Sequence, residues 1–169
     1  MSQLGLAFDE KVCINCCGCQ TACKAVRGLP VGTNYCRVTY KWRGQDLDAR
    51  LVYFAIFCQQ CVDAPCVAAC PPKALSKAAD GMVVLDEAKC INCRVCLSAC
   101  PYKVPQFLEG RKMSKCDLCK GVVDLASEDL PCVLTCPTKA LELKEMSAEA
   151  KKAQEARYQN FMNMPKYVA

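Results

Sequence analysis

The sequence contains no histidine. That absence removes a c-type haem, whose attachment needs a C-x-x-C-H segment, and the zinc sites that mix cysteine with histidine. Long apolar runs are missing too. The longest, Leu51 to Cys58, is strand-sized, well short of the roughly 18 residues of a membrane span, so no direct membrane insertion is expected. Met1 to Lys11 lacks the basic and apolar segments of a secretory signal and carries Asp9 and Glu10, which predicts a cytoplasmic, reduced chain. No stripe alternates basic with aromatic residues, and the lysines and arginines are scattered, so nucleic acid is not an expected partner.

What is present is cysteine, 18 of 169 residues. Hydrophobic residues make up 53% with cysteine counted and roughly 43% without it, a modest core. Something besides apolar packing must therefore hold the loops between cysteines. Sixteen cysteines fall into four runs of four. The first, Cys13, Cys16, Cys19 and Cys23, is spaced C-x2-C-x2-C-x3-C. The second, Cys58, Cys61, Cys66 and Cys70, is spaced C-x2-C-x4-C-x3-C and precedes Pro71. The third, Cys90, Cys93, Cys96 and Cys100, repeats the first spacing and precedes Pro101. In the fourth, Cys116, Cys119, Cys132 and Cys136, twelve residues separate the second and third cysteines, and Pro137 follows.

The flanks repeat as well. Phe8-Asp9-Glu10 leads into Cys13-Ile14-Asn15-Cys16, and Leu85-Asp86-Glu87 leads into Cys90-Ile91-Asn92-Cys93. Cys70-Pro71-Pro72-Lys73-Ala74-Leu75 is echoed by Cys136-Pro137-Thr138-Lys139-Ala140-Leu141. One ferredoxin-like half-module is thus used repeatedly. Its tight C-x2-C-x2-C segment wraps three corners of a compact core, and the fourth thiolate, carried away on a helical turn, ligates another cluster. Four such runs imply four [4Fe–4S] clusters. Four cysteines at two- and three-residue gaps do not make one tetrahedral zinc site comfortably. With every position a cysteine, no iron keeps an open site for substrate, so the chain reads as a carrier of single electrons and not as an enzyme.

The formal net charge is +5, but four clusters of about −2 each would leave the loaded protein near −3. The basic residues then read as compensation for buried anions; Lys24, Arg94, Lys115 and Lys120 either stabilise the reduced state or form a solvated surface. Cys17 and Cys36 are left over. Taking Cys17 for Cys16 would break the register shared with the third run, and a free cysteine is ordinarily a small buried hydrophobe. Between the first two runs, Val38 to Trp42 alternates as a strand, Arg43 to Asp48 reads as a turn and Leu51 to Phe57 as a second strand, a β-hairpin. Asp80-Gly81 before Met82 to Leu85 is another turn-then-strand signal. Ser147 caps a helix from about Ala148 to Met162, ended by Pro165, with Ala150, Ala153, Arg157, Tyr158 and Phe161 on its inner face. That helix either packs on its own domain or serves as a docking arm.

Over about residues 6 to 145 these runs resemble the iron–sulfur subunits of the dimethyl sulfoxide reductase family. The resemblance implies an α+β fold of two nested ferredoxin-like modules, with the first run paired to the fourth and the second to the third. Cys13, Cys16, Cys19 and Cys136 would hold one cluster, and Cys23, Cys116, Cys119 and Cys132 the next. Cys58, Cys61, Cys66 and Cys100 would hold a third, and Cys70, Cys90, Cys93 and Cys96 the fourth. Residues 1–145 would form the four-cluster domain: one module from 1–35 plus 110–145, the other from 58–109, and the hairpin insertion 36–57. Residues 146–169 would be a C-terminal helix and tail. The implied function is an electron-transfer subunit relaying single electrons to or from a large molybdenum or tungsten pterin oxidoreductase. The compact length favours the small subunit of a tungsten aldehyde oxidoreductase. The alternatives are the carrier subunit of a benzoyl-CoA reductase complex, a free-standing polyferredoxin shuttling between enzymes, or an interaction module with structural clusters. Exposed end clusters would also allow self-association into a cluster chain.

Overall fold

The computed structural model describes residues 2–44, 46–124 and 129–164. Proline placement governs its short helices. The second and fourth runs set a proline directly before their third cysteine, and that residue, preset in φ, opens α2 (Pro65–Ala68) and α4 (Pro131–Leu134) at the first helical position. In the third run α3 (Val95–Ala99) stops with Cys100 extended, as a residue before Pro101 must be. The first run has no proline after Cys23, so α1 (Gly18–Arg27) continues to a left-handed Gly28, φ 58°, where the Gly28 N–H donates to the Ala25 carbonyl and the Leu29 N–H to the Lys24 carbonyl.

Three two-stranded antiparallel sheets carry these turns. β1 (Ser2–Phe8) pairs with β6 (Leu141–Ser147), Ser2 opposite Ser147 and Phe8 opposite Leu141, so the first strand lies against the last. β2 (Arg37–Arg43) and β3 (Arg50–Ile56) form the hairpin read from the sequence, with one 3-10 turn at Asp46–Asp48 between them. β4 (Leu75–Lys77) and β5 (Val83–Leu85) close the turn at Asp80-Gly81. The sheets nest: β4–β5 and the packed pair α2–α3 lie, in chain order, inside β1–β6 and the packed pair α1–α4. This is the expected α+β, ferredoxin-type architecture.

The main core is aromatic and gathers distant segments. Phe54 of β3 stacks on Phe161 at 4.0 Å between centroids, and Tyr158 stands edge-on to Phe54, Phe57 and Tyr102. All five side chains are buried, and each such pair is worth about 0.5–1.5 kcal/mol beyond its area. Phe161 and Tyr158 belong to the last helix, α5 (Ala148–Asn163), which is therefore packed on its own domain. Ser147 caps it by accepting the Ala150 N–H at 3.2 Å, while Pro165 lies outside the described residues.

The inner face of α5 differs from the one expected. Ala150, Ala153 and Arg157 are exposed, and the buried stripe is Lys151, Gln154, Tyr158 and Phe161. The core offers Gln154 and Tyr158 hydrogen-bond partners at these inner positions. Gln154 accepts from the Phe8 N–H and donates to the Leu6 carbonyl and Gln59 Oε1, and the Tyr158 hydroxyl donates to the Ala55 carbonyl at 2.8 Å. Among the described residues no helix is long and apolar enough to cross a membrane.

Tyr158 ties four of these segments together. Tyr158→Ala is expected to lower stability by about 3–5 kcal/mol, and Tyr158→Phe, which strands only the Ala55 carbonyl, by about 1 kcal/mol. Anaerobic chemical denaturation of the loaded protein reads both.

Candidate iron–sulfur centres

Each run opens with C-x2-C, and in all four the residue before the second cysteine is left-handed. Asn15, Gln60, Asn92 and Leu118 have φ of 59°, 50°, 56° and 54°. Asparagine tolerates this; glutamine and leucine do so only when their surroundings force it. Gln60 is fully buried and held by its own amide, which donates to the Cys116 carbonyl and accepts from the Val83 N–H. Leu118 is likewise fully buried. Such right-to-left-handed turns gather backbone N–H groups into a concavity that favours anions. A second left-handed position follows the Cys-Pro steps, at Lys73, Lys103 and Lys139, where the chain turns away.

The runs bring their thiols around cavities. Cys58, Cys61, Cys66 and Cys100 line one. Cys13, Cys16, Cys19 and Cys136 line a second, and Cys70, Cys90, Cys93 and Cys96 a third. In each, three thiols come from one run and one from another. Cys132 lies beside Cys116, Cys23 and Cys119, whose charges it feels. Among the described residues no three metal-ligating side chains converge on a single ion; the thiols stand back around spaces that suit a core of several atoms.

Neighbouring thiols link the four groups in succession. Cys23 of the second group feels Cys19 of the first, Cys116 feels Cys58 of the third, and Cys66 of the third feels Cys96 of the fourth. Burial, then neighbouring thiols, pushes Cys116 up to about 12 and Cys66 to about 11, and drives Cys132 higher still. Burial followed by Glu155 does the same to Cys61. Thiols so disposed ionise readily only with a cation among them, which iron supplies. The donor set and the left-handed concavities both fit [4Fe–4S] groups.

The four cations singled out in the sequence separate. Lys24 donates to the Pro30 and Thr33 carbonyls, Arg94 lies 5.4 Å from the Phe107 ring, and exposed Lys120 is 3.8 Å from Asp80. Lys115 alone is buried. Its Nζ donates to the Val83 and Cys116 carbonyls at 2.6 and 3.2 Å, and its charge eases ionisation of Cys66 and Cys116. Cys36, set aside in the sequence as a small buried hydrophobe, is buried as expected, but its neighbours were not foreseen. It is buried beside the first two thiol groups; its S–H donates to the Cys19 sulfur, the main cause of that thiol's lowered pKa, and its N–H reaches the Cys23 sulfur. Nothing local in the sequence marks it, since it lies outside every run. Cys17, half-buried, forms the left-handed start of α1 and edges the cavity of Cys13.

A ferredoxin-type fold with cysteine-lined cavities linked in succession defines an iron–sulfur protein of the electron-transfer class. Residues 49–146 match the 4Fe-4S dicluster domain, and this protein belongs to that family. The B subunit of the anaerobic dimethyl sulfoxide reductase of Haemophilus influenzae is 35% identical over 153 residues, covering 84% of this sequence and 74% of that protein. Its Escherichia coli counterpart is 35% identical over 161 residues, with 89% and 78% covered. The NrfC protein of Escherichia coli is 37% identical over 142 residues, with 81% and 63% covered.

Cys16 and Cys17 are adjacent but differently placed. Cys16→Ser is expected to disturb one cluster and remove up to about four irons per chain, whereas Cys17→Ser keeps the full complement. Iron analysis and visible absorption of the purified variants distinguish the two.

Proposed function

We propose that this chain relays single electrons through four [4Fe–4S] clusters to or from a catalytic oxidoreductase subunit. The sixteen cysteines would hold the clusters in the four groups described, with residues 1–145 as the working domain and α5 as its brace. When bound, the clusters supply one-electron transfer, and with every ligand position a cysteine this chain adds no substrate chemistry. The observation that carries the reading is the single succession of thiol groups. Its two ends lie beside exposed apolar residues at repeated positions, Ile14 at one and Ile91 at the other, which suits a carrier that meets a partner at each end. The eighteen unpaired thiols support a reducing compartment, the cytoplasm.

A molybdenum or tungsten pterin oxidoreductase is the partner class we infer, supported by likeness to proteins named as B subunits of anaerobic dimethyl sulfoxide reductases. The narrower aldehyde oxidoreductase type rested on chain length, and none of the relatives named above is of that type, so the wider class is proposed. Anaerobic native purification tests this. About sixteen irons per chain are expected, four at each cluster, together with a co-eluting large subunit that contains molybdenum or tungsten. Stoichiometric zinc in place of iron overturns the cluster reading, and a protein found only as a monomer overturns the subunit reading in favour of a free shuttle.

A further inference from the structure

Lys151 is 2% exposed, and its Nζ has no hydrogen-bond partner among the described residues. A buried, unpaired ammonium is costly unless an opposite charge lies near. The surrounding chain makes room for it nonetheless. Gly5 of β1 faces it, and a Cβ there would stand 3.1 Å from Nζ. One turn along α5, the Glu155 carboxylate accepts the Val62 N–H at 3.1 Å, and the Tyr102 hydroxyl donates to the Glu155 carbonyl. From β4, Lys77 donates to the Cys61 and Val62 carbonyls at 2.8 and 3.1 Å. Lys151 therefore shares its side of the fold with Glu155 and Lys77, which hold the Cys61–Val62 backbone, and Cys61 and Cys58 are among its charge neighbours. Burial lowers its pKa, and Glu155, Cys61 and Cys58 pull it back up. Glu155 is already engaged with the Val62 N–H.

We propose that Lys151, delivered from the C-terminal helix, is the buried counter-charge of the cluster held by Cys58, Cys61, Cys66 and Cys100, and that it raises the potential of that cluster selectively. This rests on the reading of the four thiol groups as cluster sites. The physical basis is simple: reduction adds negative charge to an anionic group in a low-dielectric interior, and a fixed cation favours the reduced form. Lys115 flanks the same group on its Cys66 side, so the third site is bracketed by two buried lysines from different elements.

The test is an anaerobic reductive titration followed by electron paramagnetic resonance, on the loaded wild-type chain and on Lys151→Met, Lys151→Gln and Lys151→Arg, with iron counted in each. The expected result is that Met and Gln lower one midpoint potential and leave three in place, while Arg restores it. The signal that moves is the one that Cys61→Ser alters, where that variant assembles. If Met and Gln lose that one cluster while Arg keeps it, the charge is required at the site and the inference stands. Four unchanged potentials, four that fall together, or loss of the cluster in all three variants would overturn it and leave Lys151 a packing residue. A wild-type chain without its full iron would instead sink the cluster reading itself.

Discussion

In every run the third and fourth cysteines are separated by three residues, and a helix starts at or just before the third: Cys19 and Cys23 both lie on α1, whereas Cys70, Cys100 and Cys136 fall just past the ends of α2, α3 and α4. The two thiols of each pair belong to neighbouring groups. The short stretch of chain between them limits the distance between adjacent groups, and the remaining architecture accommodates four such links. α1 and α4 pack together because they bridge the same two groups, as α2 and α3 do. The junction between the second and third groups has no shared helix. It is held by Cys116 beside Cys58, by the Gln60 amide on the Cys116 carbonyl, and by Lys115.

Electrostatics decides what fills the interior beyond cysteine. A chain with excess basic charge and two buried lysines suits thiolate-bound clusters whose net charge is negative. Among the described residues Lys115 and Lys151 are the two buried lysines. Arg37 contributes from the hairpin: its guanidinium donates to the Tyr102 and Lys103 carbonyls just beyond Cys100. The surface ion pairs, such as Lys152 with Asp63 at 3.1 Å between exposed groups, add little.

What could be read from the sequence follows from how local each signal is. Cysteine spacing, the Cys-Pro turns and the strand signals around Asp80-Gly81 act within a few residues, and the hairpin and half-module repeat were legible for that reason. The α5 stripe was misread because apolarity marks a buried face only when the core is uniformly apolar. Here the strand end at Leu6 and Phe8 needs a hydrogen-bonding partner, and Gln154 answers it. The surroundings of Cys36 and Lys151 were not legible for a related reason. Their neighbours, Cys19 for one and Gly5 with the Cys61 backbone for the other, are brought to them only by the tertiary fold. Three-plus-one sharing could be inferred from spacing, while the nesting of the runs needed a family resemblance, because no local pattern says which run lends its fourth thiol to which.

The pairing of β1 with β6 has a temporal consequence. A ribosome delivers the chain from its N-terminus, so the inner stretch from Cys58 to Cys100 emerges whole, with its own sheet and helix pair, while Cys13 and Cys16 still wait for Cys136. The outer half cannot close until Leu141 to Ser147 arrives to zip onto Ser2 to Phe8, and Tyr158 and Phe161 arrive later still to seal the aromatic core. Long-range closure of this kind is slow. The nesting therefore imposes a schedule on maturation: inner sites can form on a nascent chain, and the first-encoded cysteines are among the last to be enclosed.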